Sequence, residues 1–102
     1  MKSGIKLIAI ERHEQIEKHY RTIKSDVRWN DKFQLAEGAA KLIQKEYDGA
    51  RFTRSDTGNM IPYGWNEDVW HKMNHKSYKD RLIIAGALIA AEIDRLQAIE
   101  GA

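Results

Sequence analysis

The stretch LIIAGALIAAEIDRL, Leu82 to Leu96, constrains this chain more than any other. Leu82 to Ala91 carries no charge and is apolar around nearly the whole circumference of a helix. Such a helix is buried on most sides, so it belongs at the centre of a fold or inside a dimer. Ser77 and Asp80 form an S-x-x-D capping box that opens it. Gly86, among Ala85, Ala87, Ala90 and Ala91, leaves room for close helix contact. The run covers only about half of the ~20 residues needed to cross a bilayer.

The run ends in two acids. On a wheel of about 100° per residue, Glu92 falls among Ala85, Leu88, Leu96 and Ile99, and Asp94 falls near Ile83, Ala87 and Ala98. Both carboxylates are expected to be partly buried, and a buried carboxylate needs a cation, hydrogen bonds or a metal.

Upstream, Ser3 caps a first long helix running to about Ile23, with Ile5, Ile8, Ala9, Arg12, Ile16, Tyr20 and Ile23 on one face. Leu7 and Ile10 lie off that stripe, which points to a second neighbour or a partner chain. KSDVRWND reads as a connection. Asn30 or Asp31 then caps a second long helix, whose main stripe is Phe33, Ala36, Ala40, Ile43 and Tyr47, widened by Leu35, Ala39 and Leu42. Gly49 is its stop signal. From Asp48 to Ser77 the pattern breaks into a long irregular loop, interrupted by a short helix, EDVWHKM, capped by Asn66. Trp65, Trp70, Tyr63 and Met73 read as a cover over the end of the bundle. The expected fold is all-α: a single domain over residues 1–102 with three long helices, one short helix, and the irregular loop between helices two and three.

Seventeen Lys and Arg against fifteen Asp and Glu give a formal charge of +2, too balanced for a nucleic-acid binder. The absence of cysteine removes disulfides and thiolate metal sites and fits a reducing cytoplasm. Glu11 and Arg12 interrupt the N-terminal apolar patch before it reaches the length of a signal-peptide core. A soluble cytoplasmic chain is expected, with no membrane partner.

Two site readings compete. Arg12 sits in the middle of an apolar stripe, and a guanidinium pairs bidentately with a carboxylate, so an Arg12–Glu92 bridge between the first and third long helices satisfies both. Arg95, three residues after Glu92, is a second local partner. Alternatively, Glu11, Glu14 and Glu17 give overlapping E-x-x-E spacings, and Glu11 and Glu14 with Glu92 make a hard oxygen-donor set suited to Mg²⁺. A Glu-rich solvated face accounts for the same spacing. His71 and His75 stand four apart, a Zn²⁺-compatible spacing without an evident third ligand.

ERHEQI and AGALIAAEIDRL together resemble segments of small bacteriophage and mobile-element proteins of unknown function. The shared positions are Glu11, Arg12, Gln15 and Ile16, the closing helix Ala85 to Leu96, and Trp65, Trp70, Asp80 and Arg81. Those proteins are distantly similar to the MazG-like all-α nucleotide pyrophosphohydrolases. The resemblance implies a Mg²⁺-dependent nucleoside triphosphate pyrophosphohydrolase working as a homodimer, with Glu11 and Glu14 matching the E-x-x-E motif. The second motif, E-x-x-D, is replaced by Glu92-Ile93-Asp94. The rival expectation is a non-enzymatic helical module that binds a host or element protein.

Overall fold

A computed structural model describes residues 1–51 and 61–101, with the backbone alone over 47–51. Five helices are present among them: α1 (Gly4–Glu17), α2 (Ile23–Trp29), α3 (Gln34–Arg51), α4 (Glu67–Asn74) and α5 (Tyr78–Glu100). No strand occurs among the described residues, as the 3.6-residue periods require.

The caps lie largely where the sequence places them. Ser3 Oγ accepts from the Lys6 amide, Asn66 Oδ1 from Val69 and Ser77 Oγ from Asp80. Each satisfies one of the amides that a helix start leaves without an intrahelical partner. α4 also carries Glu67 and Asp68 in its first turn, where the helix dipole favours them.

The first expected helix is two. α1 stops at Glu17, and Thr22 caps a new helix by accepting from the Ser25 amide. Most of the expected connection KSDVRWND is therefore α2. The break passes through Tyr20, at φ 55°, a left-handed conformation that is unfavourable for a bulky residue. Phe33, just before α3, is a second such residue at φ 65°. Both connections to α2 thus turn on left-handed aromatics. At its far end α3 continues past Gly49 to Arg51. The middle of the expected loop, 52–60, and the side chain of Tyr47 lie outside the described residues.

Helices α1, α2, α3 and α4 all pack against α5. The core joins Leu35, Ala39 and Leu42 of α3, Trp70 and Met73 of α4, and Ile84, Ala85, Leu88 and Ala91 of α5. Leu35, Ala39 and Leu42 are therefore the buried stripe of α3, whereas Ala36 and Ala40 are exposed and Phe33 lies outside the helix. Trp70 and Met73 belong to the core, Trp65 packs on it, and Tyr63 is exposed.

Arg81 ties α3 to α5. Its Nη1 donates to Leu42 O at 2.8 Å, its Nη2 to Glu46 Oε1 at 2.7 Å and its Nε to Lys76 O at 3.1 Å. Spreading one buried guanidinium over three acceptors offsets much of the cost of taking it out of water.

Glycines allow two close approaches. A Cβ on Gly38 would stand 2.6 Å from Trp65 Cη2 and 2.8 Å from Cζ3, both in a rigid ring. A Cβ on Gly86 would meet Ile8 Cδ1 at 2.5 Å and Cγ1 at 2.8 Å, in an aliphatic side chain less rigid than an indole. Gly38→Ala is expected to destabilise, because overpacking costs about 1–3 kcal/mol and replacing a helical glycine returns only ~1 kcal/mol. Gly86→Ala should cost less than Gly38→Ala. Thermal melts of the two variants check this, and the reverse order would show that the indole moves more readily than Ile8.

Candidate functional site

Where α1, α2 and α5 meet, the interior is polar. The buried residues of α1 are Arg12 and Gln15, and that of α2 is Asp26. Arg12 Nη1 donates to Arg21 O at 3.1 Å, while Nη2 lies 3.9 Å from Asp26 Oδ2 and 3.5 Å from Asp94 Oδ2. Glu92 is held by Arg95 instead, with Arg95 Nε donating to Oε1 at 2.5 Å and Nη2 to Oε2 at 3.1 Å.

The expected Arg12–Glu92 bridge is thus replaced by two others. Glu92 takes its local partner on the next turn of α5, and Arg12 takes Asp26 and Asp94. The reason is the break after Glu17, which folds α2 back and delivers Asp26 to Arg12. Sequence reasoning missed Asp26. Its signal was Thr22 followed by Ser25 and Asp26, a cap and an acidic first turn lying inside the presumed connection.

Asp26 is nearly sealed from solvent. Its Oδ1 accepts from Asn30 Nδ2 at 2.8 Å, and Asn30 Oδ1 accepts from Trp65 Nε1 at 2.8 Å. This relay ties α2 to the segment before α4. Its Oδ2 and the facing Arg12 Nη2 are buried with no hydrogen bond. Burial pushes the Asp26 carboxyl above the ordinary carboxylate range, and Glu92 adds to the rise, against the Asn30 hydrogen bond and the charges of Arg12 and Arg21.

Beside this network lies a cavity of about 410 Å³, with Tyr20, Arg21, Asp26, Trp29, Asn30 and Trp65 in its walls. It is the candidate binding site. Trp29 carries Arg28 over one ring face, 4.8 Å from the centroid. Arg21 is half-buried, and burial lowers its pKa, opposed by Asp26 and Glu11.

Of the residues expected to bind a metal, Glu11 and Glu14 lie together and Glu92 pairs with Arg95. Glu11 and Glu14 share a small depression with Lys76 and Asp80, on the side of α5 that carries Ile83 and Ile84. Glu11 Oε2 accepts from Gln15 Nε2 at 3.3 Å, and Glu14 lies 3.8 Å from Lys18 Nζ. Burial raises the Glu11 pKa, with Glu14 adding to the rise and Gln15 opposing it. Glu92, chelated by Arg95, does not line this depression. Among the described residues no group of three or more His, Asp or Glu is arranged to hold a metal. His71 and His75 stack edge to face at 6.1 Å, with His75 Nδ1 2.7 Å from His71 O and His71 Nε2 3.5 Å from Glu67. No described helix is long and apolar enough to cross a membrane.

Two measurements follow from the charge network. In double-mutant cycles on stability, Arg12 should couple to Asp26 and Glu92 to Arg95, each more strongly than Arg12 couples to Glu92. A dominant Arg12–Glu92 coupling would reverse the assignment. Because the native Asp26 pKa is raised above its unfolded value of ~3.9, folding takes up a proton between the two. Its contribution to stability therefore falls as pH rises through that window. Asp26→Asn should flatten the acid side of the melting-temperature profile. A profile parallel to wild type would contradict the raised pKa.

No protein-family profile, no curated protein and no solved structure matches the chain.

Proposed function

We propose that the chain is a non-enzymatic helical interaction module that acts as a homodimer through the outer face of α5. One observation carries the reading. Opposite its buried face, α5 presents Leu82, Ile89, Ile93 and Leu96, exposed by 39%, 45%, 50% and 43%. The sequence expectation of burial on most sides stops at this face, because α1 to α4 leave it open.

Leu82, Ile89, Ile93 and Leu96 follow at steps of seven, four and three, the spacing of a helix-pair seam, with Gly86 beside them packed against Ile8 of α1. No charge interrupts the stripe from Leu82 to Leu96. An exposed apolar face of this length marks an interaction surface.

The stripe is also self-complementary. Leu82 and Leu96 are equally far in sequence from Ile89, so an antiparallel copy sets Leu82 against the partner's Leu96 and Ile89 against the partner's Ile89. Lys79 approaches the partner's Glu100, whereas a parallel pair would set Lys79 beside its own copy. Antiparallel packing is favoured on both counts, and it opposes the helix dipoles.

The competing enzyme reading, a Mg²⁺-dependent nucleoside triphosphate pyrophosphohydrolase, has Glu11 and Glu14 together in its favour, without Glu92. An interaction role accords equally with the resemblance to small mobile-element proteins, and a cysteine-free chain suits the cytoplasm.

Light scattering at micromolar concentration is expected to give a dimer mass, with about 1,200 Å² or more buried in total. Ile89→Arg sets like charges against each other at the two-fold axis and should give a monomer of unchanged helicity. Lys79→Glu should weaken the dimer, and Lys79→Glu with Glu100→Lys should restore it. A monomeric wild type would overturn the homodimer. Pyrophosphate release that requires Mg²⁺ and is lost in Glu11→Gln would establish the enzyme instead.

A further inference from the structure

The cavity beside α2 plays no part in that reading, and its chemistry is specific. Its size, about 410 Å³, suits a small molecule. Three aromatic side chains, Tyr20, Trp29 and Trp65, stand in its walls.

The charged group left available decides the sign of an occupant. Asp26 Oδ1 is taken by Asn30, Oδ2 is closed off facing Arg12, and Asn30 Oδ1 is taken by Trp65. Arg21 differs. Its backbone amide donates to Gln15 O and its carbonyl accepts from Arg12, but its guanidinium makes no hydrogen bond or ion pair among the described residues. Burial already disfavours its charge. A planar donor fork, half-buried and uncommitted, matches a planar oxyanion.

The backbone supplies an independent observation. Tyr20 holds φ 55° while the residue is 79% exposed, so no core packing accounts for keeping an aromatic there. Glycine adopts this conformation without strain. Strain retained at an exposed residue in the wall of a cavity is the pattern of a binding site.

We propose that this cavity binds a small planar aromatic carboxylate, with the carboxylate on Arg21 and the ring held by Tyr20, Trp29 and Trp65. A single negative charge answers the single guanidinium. A phosphate dianion would bring a second negative charge close to the Asp26 carboxylate. A cationic ring would face Arg21 itself.

Isothermal titration of the full chain with indole-3-acetate tests this, with indole-3-acetamide, tryptamine and phenyl phosphate as comparison ligands. Saturable binding of indole-3-acetate is expected below about 1 mM, weaker by roughly tenfold or more for each of the others, a factor equal to ~1.4 kcal/mol. Arg21→Gln should lose affinity by a similar factor with its helicity unchanged. Tyr20→Gly separates binding from folding. It relieves the left-handed strain, so it should melt no lower than wild type and still bind more weakly. Absence of saturation by indole-3-acetate at about 5 mM, tighter binding of tryptamine or phenyl phosphate, or a Tyr20→Gly variant that binds normally would each overturn the assignment.

Discussion

Four helices converge on α5, and the close packing of its inner face lets one cylinder serve them all. Ala85, Ala87 and Ala91 are buried there, and Gly86 is met by Ile8 of α1. Small side chains bring neighbouring backbones near enough for Leu42, Leu88 and Trp70 to fill the remaining space. Arg81 depends on the same closeness, since its guanidinium reaches the Leu42 carbonyl only because α3 lies hard against α5. Larger residues on that face would hold the other helices off, and the clamp would have nothing to grip.

Around this axis the molecule is built in two materials. The α3–α4–α5 side is mainly apolar, apart from Gln34, Asn74 and Arg81, and closes by excluding water. The α1–α2–α5 side closes on Arg12, Asp26, Asp94, Gln15 and the Glu92–Arg95 pair. Ion pairs out of water offset their own desolvation more than they add stability, so this second interface contributes direction rather than strength. It fixes where α2 lies, and the position of α2 creates the aromatic cavity.

The apolar half was the more legible in the sequence. Ser77 with Asp80, Asn66 with its acidic first turn, and the Leu82–Ala91 run each carry their own local physics, and α4 and α5 begin where those signals lie. Where the sequence misled, two solutions were nearly degenerate. In α3 the stripe through Phe33 and the stripe through Leu35 differ by a rotation of the helix, and periodicity alone does not choose between them. Arg12 was recognisable as a charge needing a partner, but the partner's identity depends on a chain reversal at Tyr20. Tyrosine is a poor signal for such a turn, because its left-handed conformation is imposed by the surroundings and opposed by its own sterics. The candidate cavity was hidden for the same reason, since Arg21, Asp26 and Trp29 meet Trp65 only after that reversal.

The hinge residues on either side of α2 have a further consequence. A seven-residue helix is too short to persist alone in water. It is moored by charges and by the Asn30–Trp65 relay, and it is flanked by Tyr20 and Phe33, each released from backbone strain whenever α2 lets go. Local opening of α2 therefore regains energy that opening of α3 or α5 does not, and it leaves the apolar core intact. Among the described residues α2 is the segment whose amides should trade protons with solvent soonest after the chain ends.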